Sequence, residues 1–300
     1  MGGQAVGGSG AAWAVGDVVV HRVDELLLAE GTGAWLLPGA TPEVVGREEW
    51  LRPDFADAEG VLRLASHSFA FEVGGVKVVV DTGIGNGKER ANPAWHGLRT
   101  DYLERLAAVG FAPESVDVVV LTHLHADHVG WNTTITEEGW VPTFPNARYV
   151  VSRVEREFWA GYAMDEARRQ MFRDSVEPVE RAGLMDAVEV GAQGRELVPG
   201  VRLVPTPGHT PGHVAVRVDG DGGAGAVITG DCVHHPVQLV RPGIGSCVDI
   251  DPEAAEETRR ALLGELAGTG TLLLGTHFAP PTGGLVVREG EGYRLVAGER

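Results

Sequence analysis

The sequence predicts a layered α/β domain in which strands and helices are mixed along the chain. Short apolar runs rich in β-branched residues recur without strict alternation, as expected of strands that are covered on both faces. Helical patterns lie between several of these runs, and neither an internal repeat nor a long linker interrupts them. We therefore expect a single domain over residues 16–300, preceded by a disordered lead-in over residues 1–15.

Seven of the apolar runs are predicted to be strands, and the tail that begins GGLVV is strand-like as well. The predicted strands cover residues 76–80, 116–122, 147–151, 201–205, 213–218, 225–229 and 271–274. Most of them are too short and too apolar to lie on an exposed surface. They are expected to form the interior sheets of the domain.

Three segments are predicted to be helical. Residues 101–109 place apolar side chains at helical spacing, and a longer helix begins where Asp251 can cap the first turn and Pro252 fits within it. The stretch 153–185 also has helical spacing, with Pro178 as an interruption. The role of the segment 33–60 stays open, either as a cover over the functional site or as a contact with a partner subunit.

Composition excludes several classes of function. With 43% hydrophobic and 22% charged residues, the chain has the balance of a soluble globular protein. Its net charge of −17 disfavours nucleic acid and anionic membranes as partners. Cys232 and Cys247 are too few for a disulfide framework, and no signal peptide is evident, so a cytoplasmic location is expected.

Four predicted strands end at a residue that can bind or orient a metal ion. These residues are Asp81, His123, Asp231 and His277. In α/β sheets, the carboxyl ends of neighbouring strands open into a common crevice, which is where ligands bind. The four side chains are therefore predicted to lie around one site.

The segment HLHADH, residues 123–128, is the strongest local signal of that site. His123 and His125 are separated by one residue and can hold one ion, while Asp127 and His128 can face a second. Imidazole nitrogens and carboxylate oxygens are ligands that zinc and related divalent ions accept. Four such residues directly after a buried strand predict a metal site.

A second segment, TPGHTPGH at residues 206–213, follows another predicted strand. Its prolines and glycines predict a tight turn that presents His209 to the same crevice. His213 begins the next strand, and we expect it to hydrogen-bond within the turn instead of binding metal.

In order and spacing, these motifs resemble those of the metallo-β-lactamase superfamily, together with DTG at 81–83, GD at 230–231 and His277. The resemblance covers roughly residues 60–280. It implies an αββα sandwich, in which two facing mixed sheets carry helices on their outer sides. Among the branches of this superfamily, the one that contains acyl-homoserine lactonases and methyl parathion hydrolase-type enzymes is the most similar.

The resemblance also implies a ligand set for two ions. His123, His125 and His209 would hold the first ion; Asp127, His128 and His277 would hold the second; and Asp231 would bridge both. Asp81 would orient a ligand histidine through its second ring nitrogen. Zinc is the expected metal, with manganese, iron or cobalt as alternatives.

The implied activity is that of a hydrolase in which a metal-bridging hydroxide attacks a carboxylic ester or lactone, with a phosphotriester as an alternative substrate. Asp127, Asp231 and His234 are the predicted catalytic residues. Lactonases of this branch often have a tyrosine where this chain has His234, and the difference favours an organophosphate-hydrolase-like enzyme or a general esterase.

Substrate contacts are predicted for Trp131, Phe158, Trp159 and His234, with packing in the core as the alternative for the aromatic residues. The expected partner is a small ester or lactone, and a homodimer is one assembly left open. β-Lactamase or thioesterase activity at the same site is an alternative function. A metal-binding scaffold without catalysis is an alternative of another class.

Overall fold

The computed structural model describes residues 11–297. Their strands are β1 (Ala12–Val15), β2 (Val18–Leu27), β3 (Ala65–Val73), β4 (Val76–Val80), β5 (Val118–Val120), β6 (Thr133–Thr136), β7 (Gly139–Pro142), β8 (Arg148–Ser152), β9 (Met185–Val188), β10 (Arg195–Val198), β11 (Val201–Pro205), β12 (Val214–Asp219), β13 (Gly225–Ile228), β14 (Leu272–Leu274), β15 (Gly283–Glu289) and β16 (Gly292–Val296).

Two mixed seven-stranded sheets are formed by these strands. The first has the order β1-β2-β3-β4-β5-β8-β9, and the second has the order β10-β11-β12-β13-β14-β15-β16. In the first sheet β4 and β5 are parallel, and in the second β13 and β14 are parallel. Strands β6 and β7 form a separate hairpin.

The helices are α1 (Thr32–Leu36), α2 (Pro42–Gly46), α3 (Tyr102–Ala108), α4 (Arg153–Gly161), α5 (Glu166–Ser175), α6 (Glu177–Arg181), α7 (Val237–Val240) and α8 (Pro252–Leu266). Asp251 accepts a hydrogen bond from the Ala254 backbone N–H at 3.1 Å, so it caps α8 as predicted. None of the helices in residues 11–297 is long and apolar enough to cross a membrane.

The two sheets face each other across a shared apolar layer. Val80 and Val120 of the first sheet belong to the same buried cluster as Val216, Ile228 and Leu274 of the second. A second cluster packs α3 to α6 on the outer side of the first sheet, and a third packs α1, α2 and α8 on the outer side of the second. The predicted αββα sandwich is therefore confirmed.

Two boundaries differ from the sequence prediction. Residues 12–15, predicted as part of the disordered lead-in, pair with residues 18–21 as an edge hairpin, because Val15 is buried against the sheet. The rest of that lead-in, residues 1–10, lies outside the described residues. The predicted helical stretch 153–185 is three helices that end at Arg181. The predicted interruption is present at Val176, between α5 and α6, and Pro178 lies in the first turn of α6.

Candidate metal centre

The loops after β4, β5, β11, β13 and β14 meet at one edge of the sandwich. Asp81 follows β4 and His123 follows β5, whereas Asp231 follows β13 and His277 follows β14. Because both strand pairs are parallel, their carboxyl ends lie side by side. The site is thus built from both sheets, as the strand ends predicted.

Seven predicted ligand residues converge there as two groups. In each group, the nitrogen or oxygen atoms that could bind metal all lie within 4.8 Å of one another. The first group is His123, His125, His209 and Asp231, and the second is Asp127, His128 and His277.

Asp231 faces both groups, with one carboxylate oxygen toward each. Its Oδ2 lies 3.3 Å from Nε2 of His209 and 3.8 Å from Nε2 of His123. Its Oδ1 lies 3.2 Å from Nε2 of both His128 and His277. This geometry is what a carboxylate shared between two ions requires.

Several nitrogen atoms at the site lie close to one another, an arrangement that suits shared binding of a divalent ion better than hydrogen bonding between histidines. Nε2 of His128 and Nε2 of His277 are 3.2 Å apart, and Nε2 of His209 is 3.0 Å from Nδ1 of His125. Nε2 of His123 and Oδ1 of Asp231 are buried and have no hydrogen-bond partner in the described part of the chain. Buried polar atoms without partners are rare, and both of these atoms lie among the potential donor atoms of the two groups.

Burial also keeps part of this set in the form that binds metal. It lowers the pKa of His123 and of His125 well below the usual histidine value, and the neighbouring histidines add to the effect. Neutral imidazole is the form that coordinates divalent ions.

The second ring nitrogens of three histidines are held by oxygen acceptors. Nδ1 of His128 lies 2.8 Å from Oδ2 of Asp81, and Nδ1 of His209 lies 2.9 Å from Oδ1 of Asp249. Nδ1 of His277 lies 2.9 Å from the carbonyl oxygen of Ala65. These contacts leave each Nε2 free to face the site.

Asp81 adopts a backbone conformation that is unusual for a residue with a side chain, with φ of 56°. Its carboxylate also accepts hydrogen bonds from the backbone N–H and the hydroxyl of Thr122, each at 2.8 Å. Asp81 thereby connects the end of β4 to the start of the histidine motif. It belongs to neither of the two groups of potential ligands.

The His213 ring contacts the backbone of Asp231 and belongs to neither group of potential ligands. Its Nε2 accepts a hydrogen bond from the Asp231 N–H at 2.9 Å, and its Nδ1 lies 2.8 Å from the Thr206 hydroxyl. Burial lowers the pKa of His213 to about 3, which agrees with a neutral ring. Gly230, with φ of 52°, makes this contact possible, since a Cβ there would lie 2.6 Å from His213 Nε2.

His234 lies beside the two groups and is completely buried. Its Nε2 is 3.2 Å from Oδ2 of Asp231, and its ring stacks on that of His277 with 6.0 Å between centroids. Neither ring nitrogen has a hydrogen-bond partner of good geometry among residues 11–297.

A cavity of about 520 Å³ opens over the site. His125, Asp127, Asp231, His234 and His277 form its floor. Its apolar wall includes Leu28, Trp35, Leu36, Trp95, Met171 and Val248.

The aromatic residues predicted as substrate contacts lie elsewhere. Trp131 is buried, stacks on Tyr102 and donates its indole N–H to Glu25 at 2.8 Å. Trp159 is also buried, and neither it nor Phe158 is among the described residues that line the cavity. The substrate contacts expected of these three residues are therefore corrected, because packing in the core occupies their rings.

Sequence reasoning missed three parts of the site. Trp35 and Leu36 of α1 reach the cavity from the segment whose role was open, and Asp249 orients His209. The carboxylate of Glu155 lies buried behind the first ligand group. Glu155 lies in the first turn of α4, three residues after β8 ends, and Asp249 lies in a turn before α8. Neither belongs to a histidine motif, so no local signal distinguishes these two residues from surface acids.

Comparisons with known proteins identify the family of this chain. Residues 61–298 match the family model described as the metallo-β-lactamase superfamily. An N-acyl homoserine lactonase of Bacillus cereus is 28% identical over 114 residues, which are 38% of this chain and 37% of that protein. A β-lactamase-like protein 2 homolog of Caenorhabditis elegans is 27% identical over 170 residues, which are 56% of this chain and 44% of that protein. This chain therefore matches less than half the length of these two relatives.

Two solved structures share the fold over nearly their whole length. The dizinc quorum-quenching lactonase AidC, in complex with a product, has a TM-score of 0.79 at 18% identity, covering 97% of this chain and 98% of that one. The hydrolase AbOPH of the beta lactamase superfamily has a TM-score of 0.79 at 24% identity, covering 98% of this chain and 99% of that one. From the family match and this shared architecture, the chain belongs to the metallo-β-lactamase superfamily.

Proposed function

We propose that the protein is a hydrolase that holds two divalent ions, one in each ligand group, with Asp231 shared between them. The observation that carries this proposal is the position of the Asp231 carboxylate, which offers one oxygen to each group. Zinc is the proposed metal, since imidazole and carboxylate are its usual ligands and AidC is a dizinc lactonase.

When bound, two such ions supply Lewis acidity and an activated water at neutral pH. The chain's own residues orient the reaction around them. Asp127 and His234 both line the cavity, and Nε2 of His234 lies 3.2 Å from Oδ2 of Asp231. We propose that His234 binds the oxygen on which negative charge develops, as an N–H donor beside Asp231.

The cavity wall favours a neutral substrate with an apolar group. Trp35, Leu36 and Trp95 offer hydrophobic surface. Two arginines also line the cavity, but Arg90 is paired with Asp174 at 2.8 Å and Arg168 with Asp165 at 3.3 Å. With those charges compensated, we infer a carboxylic ester or lactone that carries an apolar acyl or aryl group.

A substrate panel with purified, metal-loaded protein tests this function. It includes acyl-homoserine lactones, aryl esters, a phosphotriester, a thioester and a β-lactam, each with and without a chelator. We expect chelator-sensitive turnover, highest on the ester or lactone members with apolar groups. Stoichiometric metal with no chelator-sensitive turnover on any member would contradict the proposal and favour a non-catalytic scaffold.

A further inference from the structure

Glu155 places a buried carboxylate directly behind the first ligand group. It lies in the first turn of α4 and is 0% exposed. Three N–H groups donate to it: the Leu124 backbone to Oε1 at 3.0 Å, the Trp159 indole to Oε1 at 2.7 Å, and the Gly212 backbone to Oε2 at 3.2 Å.

Each of these donors leads to a histidine of the first group. Leu124 stands between His123 and His125. Gly212 belongs to the 206–213 turn that carries His209. The ring of Trp159 packs edge-on against that of His125, with 5.6 Å between centroids.

The contact between this turn and α4 is close. A Cβ on Gly212 would lie 2.0 Å from the backbone nitrogen of Glu155, so only glycine lets the turn reach the helix. The two loops that Glu155 connects leave different sheets, since His123 follows β5 of the first and His209 follows β11 of the second. One carboxylate therefore spans the gap between two loops that do not share a sheet.

We propose that Glu155 is a positioning residue that sets the separation of the His123–His125 loop and the His209 turn. It thereby controls the affinity of the first metal position separately from the second, whose ligands Asp127, His128 and His277 it does not contact. This inference rests on the proposed two-metal site.

The substitution Glu155→Gln tests the role with little change in shape. A side-chain amide has one acceptor oxygen, so its NH₂ group must oppose one of the N–H donors that now share the carboxylate. We expect one of the two ions to bind about 10- to 100-fold more weakly, the range seen when groups that orient ligands are removed. The other ion should keep its affinity.

The measurement is a Co²⁺ titration of the chelator-treated full chain, followed by visible absorption and by competition with a chelator. Glu25→Gln is the matched control. Glu25 is also buried, and it accepts hydrogen bonds from the backbone of Ile84 and Gly85 and from the side chains of Ser66 and Trp131. None of these donors stands in the segments 123–128 and 206–213 that carry the histidines of the first group. Both affinities should survive that change.

Equal weakening at both positions in Glu155→Gln, or the same loss in Glu25→Gln, would overturn the positioning role. If Glu155→Gln does not fold, Gly212→Ala forces the turn away from α4 while Glu155 remains, and an unaltered titration would also overturn it. A wild-type chain that binds fewer than two ions would contradict the proposed metal centre instead, so the two failures are distinguishable.

Discussion

The Asp249 carboxylate lies 2.9 Å from Nδ1 of His209 and fixes the direction of that ring. Although burial opposes its ionisation, the hydrogen bond with His209 helps to hold the pKa of Asp249 below its usual range. A second oxygen accepts the Ser246 N–H at 2.9 Å, which anchors the carboxylate to its own turn. His209 thus depends on a residue that stands forty positions further along the chain.

Asp249→Asn should weaken metal binding without unfolding the protein. The amide retains the shape of the side chain but removes the negative charge that makes His209 a better ligand. We expect affinity for one ion to fall about tenfold or more, as is usual for a group that orients a ligand. Metal titration against a chelator measures this, and an unchanged affinity would mean that the contact is only structural.

Asp231→Ala should remove the residue shared by both groups. Because each of its oxygens faces a different group, we expect metal content to fall to one ion or fewer per chain and turnover to fall with it. Elemental analysis of the purified variant gives the metal content. Two retained ions would refute the shared role of this carboxylate.

His213→Ala should retain both ions and lose stability. Both ring nitrogens of His213 are engaged within the protein, and the Asp231 N–H would be left without its acceptor. We expect the free energy of unfolding to fall by about 1–3 kcal/mol, the usual cost of an unpaired buried donor. Denaturant unfolding and elemental analysis together check this. Loss of one ion would show that His213 is a ligand.

His234→Phe should separate catalysis from metal binding. Phenylalanine preserves the stacking on His277 but has no nitrogen to offer the substrate. We expect both ions to remain and kcat to fall about 100-fold, the scale reported for loss of one oxyanion donor. The check is steady-state kinetics on the best ester or lactone, with metal content measured on the same sample. A fall in metal content would instead make His234 a ligand.

Lys88→Met should change how stability depends on pH. Lys88 lies 3.6 Å from Oδ1 of Asp174 and 3.8 Å from the Trp140 ring centre, and burial lowers its pKa to about 7. The folded chain therefore releases this proton at a lower pH than the unfolded chain does. Between pH 7 and the ordinary lysine pKa, the unfolded chain therefore holds one proton more than the folded chain. Over that range, Lys88 makes the free energy of unfolding increase with pH, by up to about 1.4 kcal/mol per pH unit.

Denaturant unfolding at several pH values tests that slope. In Lys88→Met, the slope of the free energy of unfolding against pH above pH 7 should be smaller by up to about 1.4 kcal/mol per pH unit, which is the contribution of one proton. Arg90 still pairs with Asp174 in that variant, so the carboxylate keeps a partner. Identical slopes in the two proteins would contradict the lowered pKa.

The residues proposed as metal ligands could be identified from the sequence because each follows a recognisable strand or turn. His123, Asp231 and His277 all stand where an apolar run stops, and parallel strands bring such ends together. Strand β3 was not predicted, although it is almost entirely buried, because SHSF inserts polar residues that hydrogen-bond inside the protein. Thus Ser66 donates to Glu25 at 3.0 Å.

The residues of the cavity wall could not be predicted from the sequence, because they depend on which side of each helix or loop faces the site. Trp131 and Trp159 have the composition of a substrate wall, but hydrogen bonds to Glu25 and Glu155 direct their indoles inward. Trp35 and Trp95 lie far from the motifs along the chain, yet the fold brings them to the cavity. Only the packing distinguishes the two pairs.

The construction of the site from both sheets has a mechanical consequence. Both cysteines of the chain, Cys232 and Cys247, are free, so no disulfide joins the layers. An ion held by His123, which follows β5 of the first sheet, and by His209, which follows β11 of the second, would cross-link the two sheets. Removing metal should therefore lower the melting temperature in the absence of any substrate, and a thermal scan would report binding before an activity is known.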